Sequence, residues 1–460
     1  MPAPRTSLML LLIFAVLGPL SSTAVAAARG AGSPPNVVLI LIDNVGYGDL
    51  GCYGNREVIT PHMDRLAREG VRATDFYIPS PSCMPSRGAL LTGRHPVRNG
   101  LNEQIWRIPS TEQIGLPHRE VLLPQLLKPA GYATGCFGKW NIGFAPGSRP
   151  TERGFDEYLG NASGNMDYYT HIYEGKNDLY RSTPDGRIEE AHVPGYATDI
   201  LADAAREFIR RNAERPFFAY VPFNAVHFPN PKNKAPGQPC IWQAPDEAFA
   251  AYGLAPDEQD SKRRFRATLT ALDTGIGRIL DELDSLELSN NTLVILLSDN
   301  GAFMLPGRGL EVASNLPLRD GGVTLYEGGI RVPCIVRWPG KIAPGTVCGE
   351  MLSSMDLFVM IAAAVGAQLP QDRVIDGRDP TAALISKGPT PHECLFFQWG
   401  KRSALRCGHW KLVRNAPDAA YELYDLAADL AERNDLAAQR PEVVDGLSRR
   451  FDEWWSEVQK

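Results

Sequence analysis

The sequence predicts an α/β fold: a large, mostly parallel sheet sandwiched by helices, followed by a smaller C-terminal α+β unit with a short antiparallel sheet. Three observations predict it. Near-continuous Val/Ile/Leu runs alternate with amphipathic helical patterns, as strands covered on both faces require. The 460 residues are 44% hydrophobic and 22% charged, which supplies a sizeable core and excludes disorder, and no internal period suggests repeats. After about residue 385 the runs become short and alternating, with Gly400 and Gly408 at turns.

The elements follow in chain order. Arg5, the apolar run Leu8–Leu20 and Ala24-Val25-Ala26 read as a signal peptide over 1–26, its apolar core too short to span a bilayer. The product is therefore expected to be exported, periplasmic or extracellular (lysosomal or secreted in a eukaryote), with no integral membrane segment after cleavage. A catalytic α/β domain is expected over 27–385. Its strands are read at Asn36–Ile42, Arg72–Tyr77, Tyr132–Phe137, Phe217–Phe223, Thr292–Leu297 and Cys334–Trp338. Its helices are read at Pro61–Glu69, Arg119–Lys128, Thr198–Asn212, Ser261–Leu286 and Met355–Ala364. The Gly/Pro-rich stretches 100–118, 143–195 and 229–258 read as surface loops near the site. The C-terminal unit, 386–460, has strands at Cys394–Trp399, Ser403–Cys407 and Trp410–Arg414 and a helix at Pro441–Val458.

Charge and cysteine usage narrow the function. With 47 Lys+Arg against 53 Asp+Glu, net −6, the chain is a poor partner for nucleic acid or an anionic membrane surface. Eight cysteines are too few for a disulfide scaffold, and their connectivity stays open. Sequons at Asn161 and Asn290 would matter only in a host that glycosylates.

In a parallel sheet, ligands gather outside the carboxyl ends of the strands. Two such ends match: Val-Val-Leu-Ile-Leu-Ile runs into Asp43-Asn44, and Leu-Val-Ile-Leu-Leu-Ser runs into Asp299-Asn300-Gly301. If both strands are central, Asp43, Asn44, Asp299 and Asn300 converge as four oxygen donors suited to a hard cation, calcium or magnesium. Alone, either pair would read as a turn after a strand. The sharper signal is Cys83-Met84-Pro85-Ser86-Arg87. The apolar run after Pro85 reads as a short helix, with Cys83 at its positive N-terminal end and Arg87 one turn on. By average residue usage, C-x-P-S-R arises by chance in about one chain in a thousand of this length.

Here the chain resembles the sulfatase family of the alkaline phosphatase superfamily, in which C-x-P-S-R marks a cysteine oxidised to formylglycine. Further family marks follow in order: Gly138-Lys139-Trp140, Val226-His227-Phe228-Pro229, Ser298-Asp299-Asn300-Gly301, Tyr326-Glu327-Gly328-Gly329-Ile330-Arg331-Val332-Pro333 and Glu422-Leu423-Tyr424-Asp425-Leu426. The resemblance implies an alkaline phosphatase-like fold and an exported hydrolase that cuts a sulfate ester, of a small molecule or more fittingly a sulfated glycan. It implies that formylglycine made from Cys83 by a formylglycine-generating enzyme is hydrated to a diol. One hydroxyl of the diol attacks sulfur, and the other expels sulfate. It further implies a calcium ion (magnesium being the alternative) held by Asp43, Asn44, Asp299, Asn300 and the modified Cys83. Arg87 and Lys139 would balance the charge. His227, Lys139 and Asn141 would bind the sulfate, and His227 would alternatively protonate the leaving alcohol.

Three positions depart from the family pattern. Asn44 stands where a second aspartate is common, Asn141 where Gly-Lys-Trp is usually followed by histidine, and Gly322 where Leu-Arg-Gly-Gly-Lys would place a sulfate-binding lysine. One carboxylate and two cations are lost, so the changes compensate in part, and Arg319 is a candidate to replace the lysine. The aromatic run Met166–Tyr173 is a candidate to stack on a sugar face. Two other readings remain open: a phosphoester or phosphonate monoester hydrolase of the same superfamily, and a catalytically silent protein that binds sulfated glycans.

Overall fold

A computed structural model of the chain describes residues 1, 33–105, 108–229, 241–304 and 311–459. The expected signal segment lies outside the described residues. A ten-stranded sheet organises the rest. Its spatial order is Thr346–Cys348, Val71–Ala73, Cys334–Arg337, Thr292–Ser298, Asn36–Ile42, Phe217–Pro222, Ala133–Phe137, Glu157–Asn161, Leu179–Ser182 and Ile188–Glu190. From Thr292–Ser298 to Glu157–Asn161 the neighbours are all parallel. Cys334–Arg337 runs antiparallel to both neighbours, and the last two strands add an antiparallel edge, so the sheet is mixed around a parallel centre.

The alternation along one strand shows why the centre is buried on both faces. Val37, Leu39 and Leu41 join one apolar cluster, whereas Val38, Ile40 and Ile42 join another on the opposite face. Helix Asp356–Val365 covers the first face with Leu357, Phe358 and Ile361. Helices Pro61–Glu69, Ala197–Arg211 and Ser261–Ser285 cover the second with Met63, Leu66, Leu201 and Leu272.

Several expectations shift. The region 143–195 is not wholly loop: it supplies the strands Glu157–Asn161, Leu179–Ser182 and Ile188–Glu190. Arg72–Tyr77 is two strands, Val71–Ala73 and Phe76–Tyr77, which join different sheets. The helix read at Arg119–Lys128 begins only at Leu123.

The C-terminal sheet runs Cys394–Trp399, Arg402–Cys407, Trp410–Arg414 and Glu422–Asp425 in order, all antiparallel, with Leu447 and Phe451 of helix Pro441–Val458 packed on Leu405 and Leu412. Cys394 and Cys407 face each other across its first hairpin and form a disulfide. Of the two sequons, Asn161 is fully buried, its amide donating to the Ser163 carbonyl, whereas Asn290 is exposed. No helix among the described residues is long and apolar enough to cross a membrane.

Candidate active site

The strands Asn36–Ile42 and Thr292–Ser298 pair in register, Ile42 opposite Ser298, so Asp43-Asn44 and Asp299-Asn300 leave the sheet side by side. All four side chains are buried. The Asn44 N–H donates to Asp299 Oδ1 at 3.2 Å, and Asn300 Nδ2 donates to Asn44 Oδ1 at 2.6 Å. Asn44 takes a left-handed conformation, φ 58°, which asparagine tolerates better than most residues.

The next two parallel strands bring the rest. Beyond Phe217–Pro222, the Asp43 N–H donates to Ala225 O and the Val226 N–H to Asp43 O, both at 2.9 Å, which sets His227 against the metal-type cluster. Beyond Ala133–Phe137 come Lys139 and Asn141. The Lys139 N–H donates to Pro222 O at 2.7 Å, and its Nζ makes a buried ion pair with Asp43 Oδ2. Gly138 has φ 144° and lies so close to Pro222 O that a Cβ would collide with it.

Helix Cys83–Thr92 approaches from the other side with Cys83 as its first residue. Arg87, fully buried, donates from Nε and Nη2 to Asp299 Oδ2 at 3.0 and 2.7 Å, from Nη2 to Asp43 Oδ2 at 2.9 Å and from Nη1 to Lys139 O at 2.8 Å. Two carboxylates thus face two cations in direct contact. Cys83 Sγ lies 4.0 Å from Asn44 Oδ1. Together with a carboxylate oxygen of Asp43 and a ring nitrogen of His227 it forms a group of atoms all within 4.8 Å of one another.

Electrostatics sets the protonation states. Burial pushes the Cys83 thiol well above its ordinary value, more than the Lys139 charge draws it down. It is therefore a protonated thiol at neutral pH and a poor nucleophile as it stands. Burial and then the Lys139 charge press His227 down to about 3, so the ring is neutral. His227 Nδ1 lies 2.8 Å from the Phe228 carbonyl, which can only accept, so Nδ1 carries the proton and Nε2 keeps its lone pair.

The donor set fits a hard cation. Asp43 Oδ1 and Asn300 Oδ1 are buried acceptor oxygens with no donor, a costly state in a dry site unless a cation completes it. Asp299 spends each oxygen on one side of the cluster but retains lone pairs.

The departure at Gly322 has a structural answer. A side chain at Gly322 would run into the ring of Phe303, which itself stands edge-on to His227 with centroids 6.2 Å apart. An aromatic ring therefore occupies the space where the lysine would stand. Arg319 does not replace it: its guanidinium lies 3.7 Å over the Tyr326 ring and donates to Glu422 and Tyr424 Oη of the C-terminal sheet and to Glu432 O beyond it. Nor is the 166–173 aromatic run a sugar platform as a whole. Tyr168 is fully buried, stacked on Tyr196, and its hydroxyl donates to the His227 carbonyl at 2.7 Å. Tyr168 is a positioning residue for His227. Gln104 escaped the sequence reading. Its Oε1 accepts from the Met84 N–H at 3.2 Å and from Ser82 Oγ at 3.3 Å, on either side of Cys83. Phe303 also escaped, although an unexpected glycine at 322 was its indirect signal.

The sulfatase family model matches residues 35–367, and that of the N-sulphoglucosamine sulphohydrolase C-terminal region matches 323–456. N-acetylgalactosamine-6-sulfatase of Canis lupus familiaris is 36% identical over 85% of this chain and 73% of its own length. Arylsulfatase A of Homo sapiens is 35% identical over 93% of this chain and 84% of its own length. Among solved structures, Ps i-CgsB superposes with a TM-score of 0.81 at 29% identity, covering 92% of this chain and 93% of that one. The chain belongs to the sulfatase family, has its alkaline phosphatase-like fold and is a sulfuric ester hydrolase.

Proposed function

We propose that this is an exported sulfatase that cuts a sulfate ester of a carbohydrate, using formylglycine made from Cys83 and a calcium ion. The observation that carries the reading is the meeting of a buried, protonated Cys83 thiol with two unsatisfied acceptor oxygens at adjacent strand ends. The first needs chemical conversion to become a nucleophile, and the second needs a cation. The carbohydrate class is supported by the family's C-terminal match and by Ps i-CgsB, whose structure is also known in complex with k-i-k-neocarrahexaose. Export is supported by the N-terminal sequence alone.

Asp43, Asn44, Asp299 and Asn300 would hold the ion, which polarises the sulfate oxygens when bound; formylglycine supplies, as its hydrate, the oxygen that attacks sulfur. The chain's own residues do the rest. Arg87 and Lys139, locked by Asp43 and Asp299, place fixed positive charge where the attacking oxygen becomes anionic, at no reorganisation cost. His227 Nε2 takes the proton released at attack and returns it to the departing alcohol. An anionic sulfate beside the ring raises its proton affinity from the low value of the empty pocket. Asn141, 3% exposed and with Oδ1 unpartnered, is placed to hydrogen-bond the substrate.

The test is sulfate release from an aryl sulfate by protein matured with a formylglycine-generating enzyme, alongside Cys83→Ala and chelator-stripped protein. Both controls should lose at least about a thousandfold in kcat/KM, the scale of removing a nucleophile or a catalytic metal. Release by Cys83→Ala at the unmutated rate would overturn the reading.

A further inference from the structure

The first hairpin of the C-terminal sheet, Cys394–Trp399 to Arg402–Cys407, has its turn beside the 103–104 loop. A cavity of about 320 Å³ opens between them, lined by Glu103, Gln104, Trp399, Lys401, Arg402 and Pro417. Gln104 links its lining to the catalytic centre. The Oε1 of that side chain accepts from Ser82 and Met84 around the nucleophile. Its Nε2 and Asn141 Nδ2 lie 3.9 and 3.8 Å from the point where a Cβ on Gly164 would stand. One amide therefore forms a wall of both spaces.

The chemistry of the lining is specific. The Arg402 guanidinium lies 4.7 Å over the Trp399 ring. It donates to neutral carbonyls, Nε to Asn415 O at 2.7 Å and Nη1 to Val323 O at 3.4 Å, next to the vacated lysine position at Gly322. These bonds hold the guanidinium in place without neutralising it. The acid that feels its charge is Asp320, which is exposed. Lys401 beside it is exposed, Trp399 is half-buried, and Glu103 is the acid of the lining. An indole, two cations and two hydroxyl-binding side chains suit one ligand class. The CH face of a sugar packs on an aromatic ring, sulfate or carboxylate pairs with arginine and lysine, and hydroxyls donate to a carboxylate and accept from an amide N–H. The volume is that of a small-ligand pocket.

We propose that this cavity is a subsite for an anionic saccharide unit, the sulfated or carboxylated sugar ring that flanks the one whose ester is cut. Trp399 carries the ring, Lys401 and Arg402 take its anion, and Glu103 and Gln104 take its hydroxyls. The proposal rests on the sulfate ester hydrolase reading above and deepens it. The enzyme then selects an oligosaccharide by a neighbour of the reacting sugar, and a small aryl sulfate, which ends at the catalytic centre, ignores the cavity.

Two variants of the full-length matured enzyme, Trp399→Ala and Lys401→Glu, test this. The second alters an exposed side chain, so it reads the subsite even if the first disturbs the hairpin. Calorimetric Kd is measured for a sulfated galactan hexasaccharide and a chondroitin sulfate hexasaccharide, each against its desulfated form, together with kcat/KM for 4-nitrophenyl sulfate. The expected result is a rise in Kd of about tenfold or more for a sulfated hexasaccharide in both variants, with aryl sulfate kcat/KM within about twofold. Lys401→Glu should leave the Kd of the desulfated form unchanged. Equal Kd in both variants and the unmutated enzyme overturns the subsite, as does failure of the unmutated enzyme to bind any of the saccharides. Variant-sensitive binding by an enzyme that hydrolyses no sulfate ester would instead retain the subsite and overturn the catalytic reading.

Discussion

Gly322 has no side chain because Phe303 lies on it. A Cβ there would collide with the ring and stand 2.8 Å from Gly301 O. Converting Gly322 to lysine therefore overpacks a filled space, at about 1–3 kcal/mol. The expected outcome is a lower Tm and weaker aryl sulfate turnover for Gly322→Lys, with part of the Tm regained in Phe303→Ala/Gly322→Lys. Unchanged thermal unfolding of Gly322→Lys would show that Phe303 does not hold that space. Most of the candidate site could be read from sequence because its residues sit at fixed offsets from strand ends: Asp43, Asn44, Asp299 and Asn300 directly, Lys139 and His227 a few residues on. Gln104, Phe303 and Tyr168 could not, because an irregular loop has no period to fix which side chain faces the site. Arg319 illustrates the converse. It stands three positions from Gly322 in the chain, yet its charge is bound to the neighbouring sheet.

Helix Pro61–Glu69 begins without a side-chain cap of its own. Asp273, from the middle of helix Ser261–Ser285, supplies it: the His62 and Met63 N–H groups donate to its carboxylate at 3.0 and 2.8 Å. Asp273→Ala leaves both donors without an acceptor and should cost about 2 kcal/mol. Burial pushes Asp273 up to about 7, against the pull of the two backbone donors and with Asp64 adding to it. A free aspartate titrates near about 3.9. Between those values the folded protein keeps a proton that the unfolded chain has released. The contribution is therefore fully present below about 4 and is lost as pH rises toward 7. Asp273→Asn removes that slope, so its Tm should fall less than that of the unmutated protein between pH 5 and 8. Parallel Tm curves would contradict this. The long apolar or amphipathic elements matched the sequence reading closely, Asn36–Ile42, Pro61–Glu69 and Pro441–Val458 to the residue. The strands Leu179–Ser182 and Ile188–Glu190 were missed for a physical reason. They are short and polar on an antiparallel edge, and only Leu179 among their residues is buried.

At the scale of the molecule, the C-terminal sheet is tied by a buried ionic knot to the short helix Glu327–Ile330 and to Tyr77 of strand Phe76–Tyr77. Lys411 donates from Nζ to Glu327 at 2.7 Å and to Glu432 at 3.3 Å, the Glu327 N–H donates to Glu432 Oε2 at 2.7 Å, and Tyr77 Oη donates to Glu327 Oε2 at 2.7 Å. Burial alone would push Glu327 up, but Lys411, Arg331 and Arg406 outweigh it and hold the carboxylate low. Glu432 goes the other way, raised by burial despite the pull of Lys411. Lys411→Met leaves two acids buried without their shared cation and should cost about 3–5 kcal/mol. Denaturant unfolding of the variant is the measurement; stability equal to that of the unmutated protein would show that the knot does not hold the C-terminal sheet in place. The same docking places Trp399, Lys401 and Arg402 beside Glu103 and Gln104, so saccharide binding should weaken when it is lost.

The central claim is that Cys83 works only after conversion, and the mass of the proteolytic peptide containing it tests this most directly. In enzyme purified from a host with working maturation machinery, the account predicts a peptide in which the thiol has been exchanged for an aldehyde. Active enzyme whose peptide carries an unmodified cysteine would contradict it.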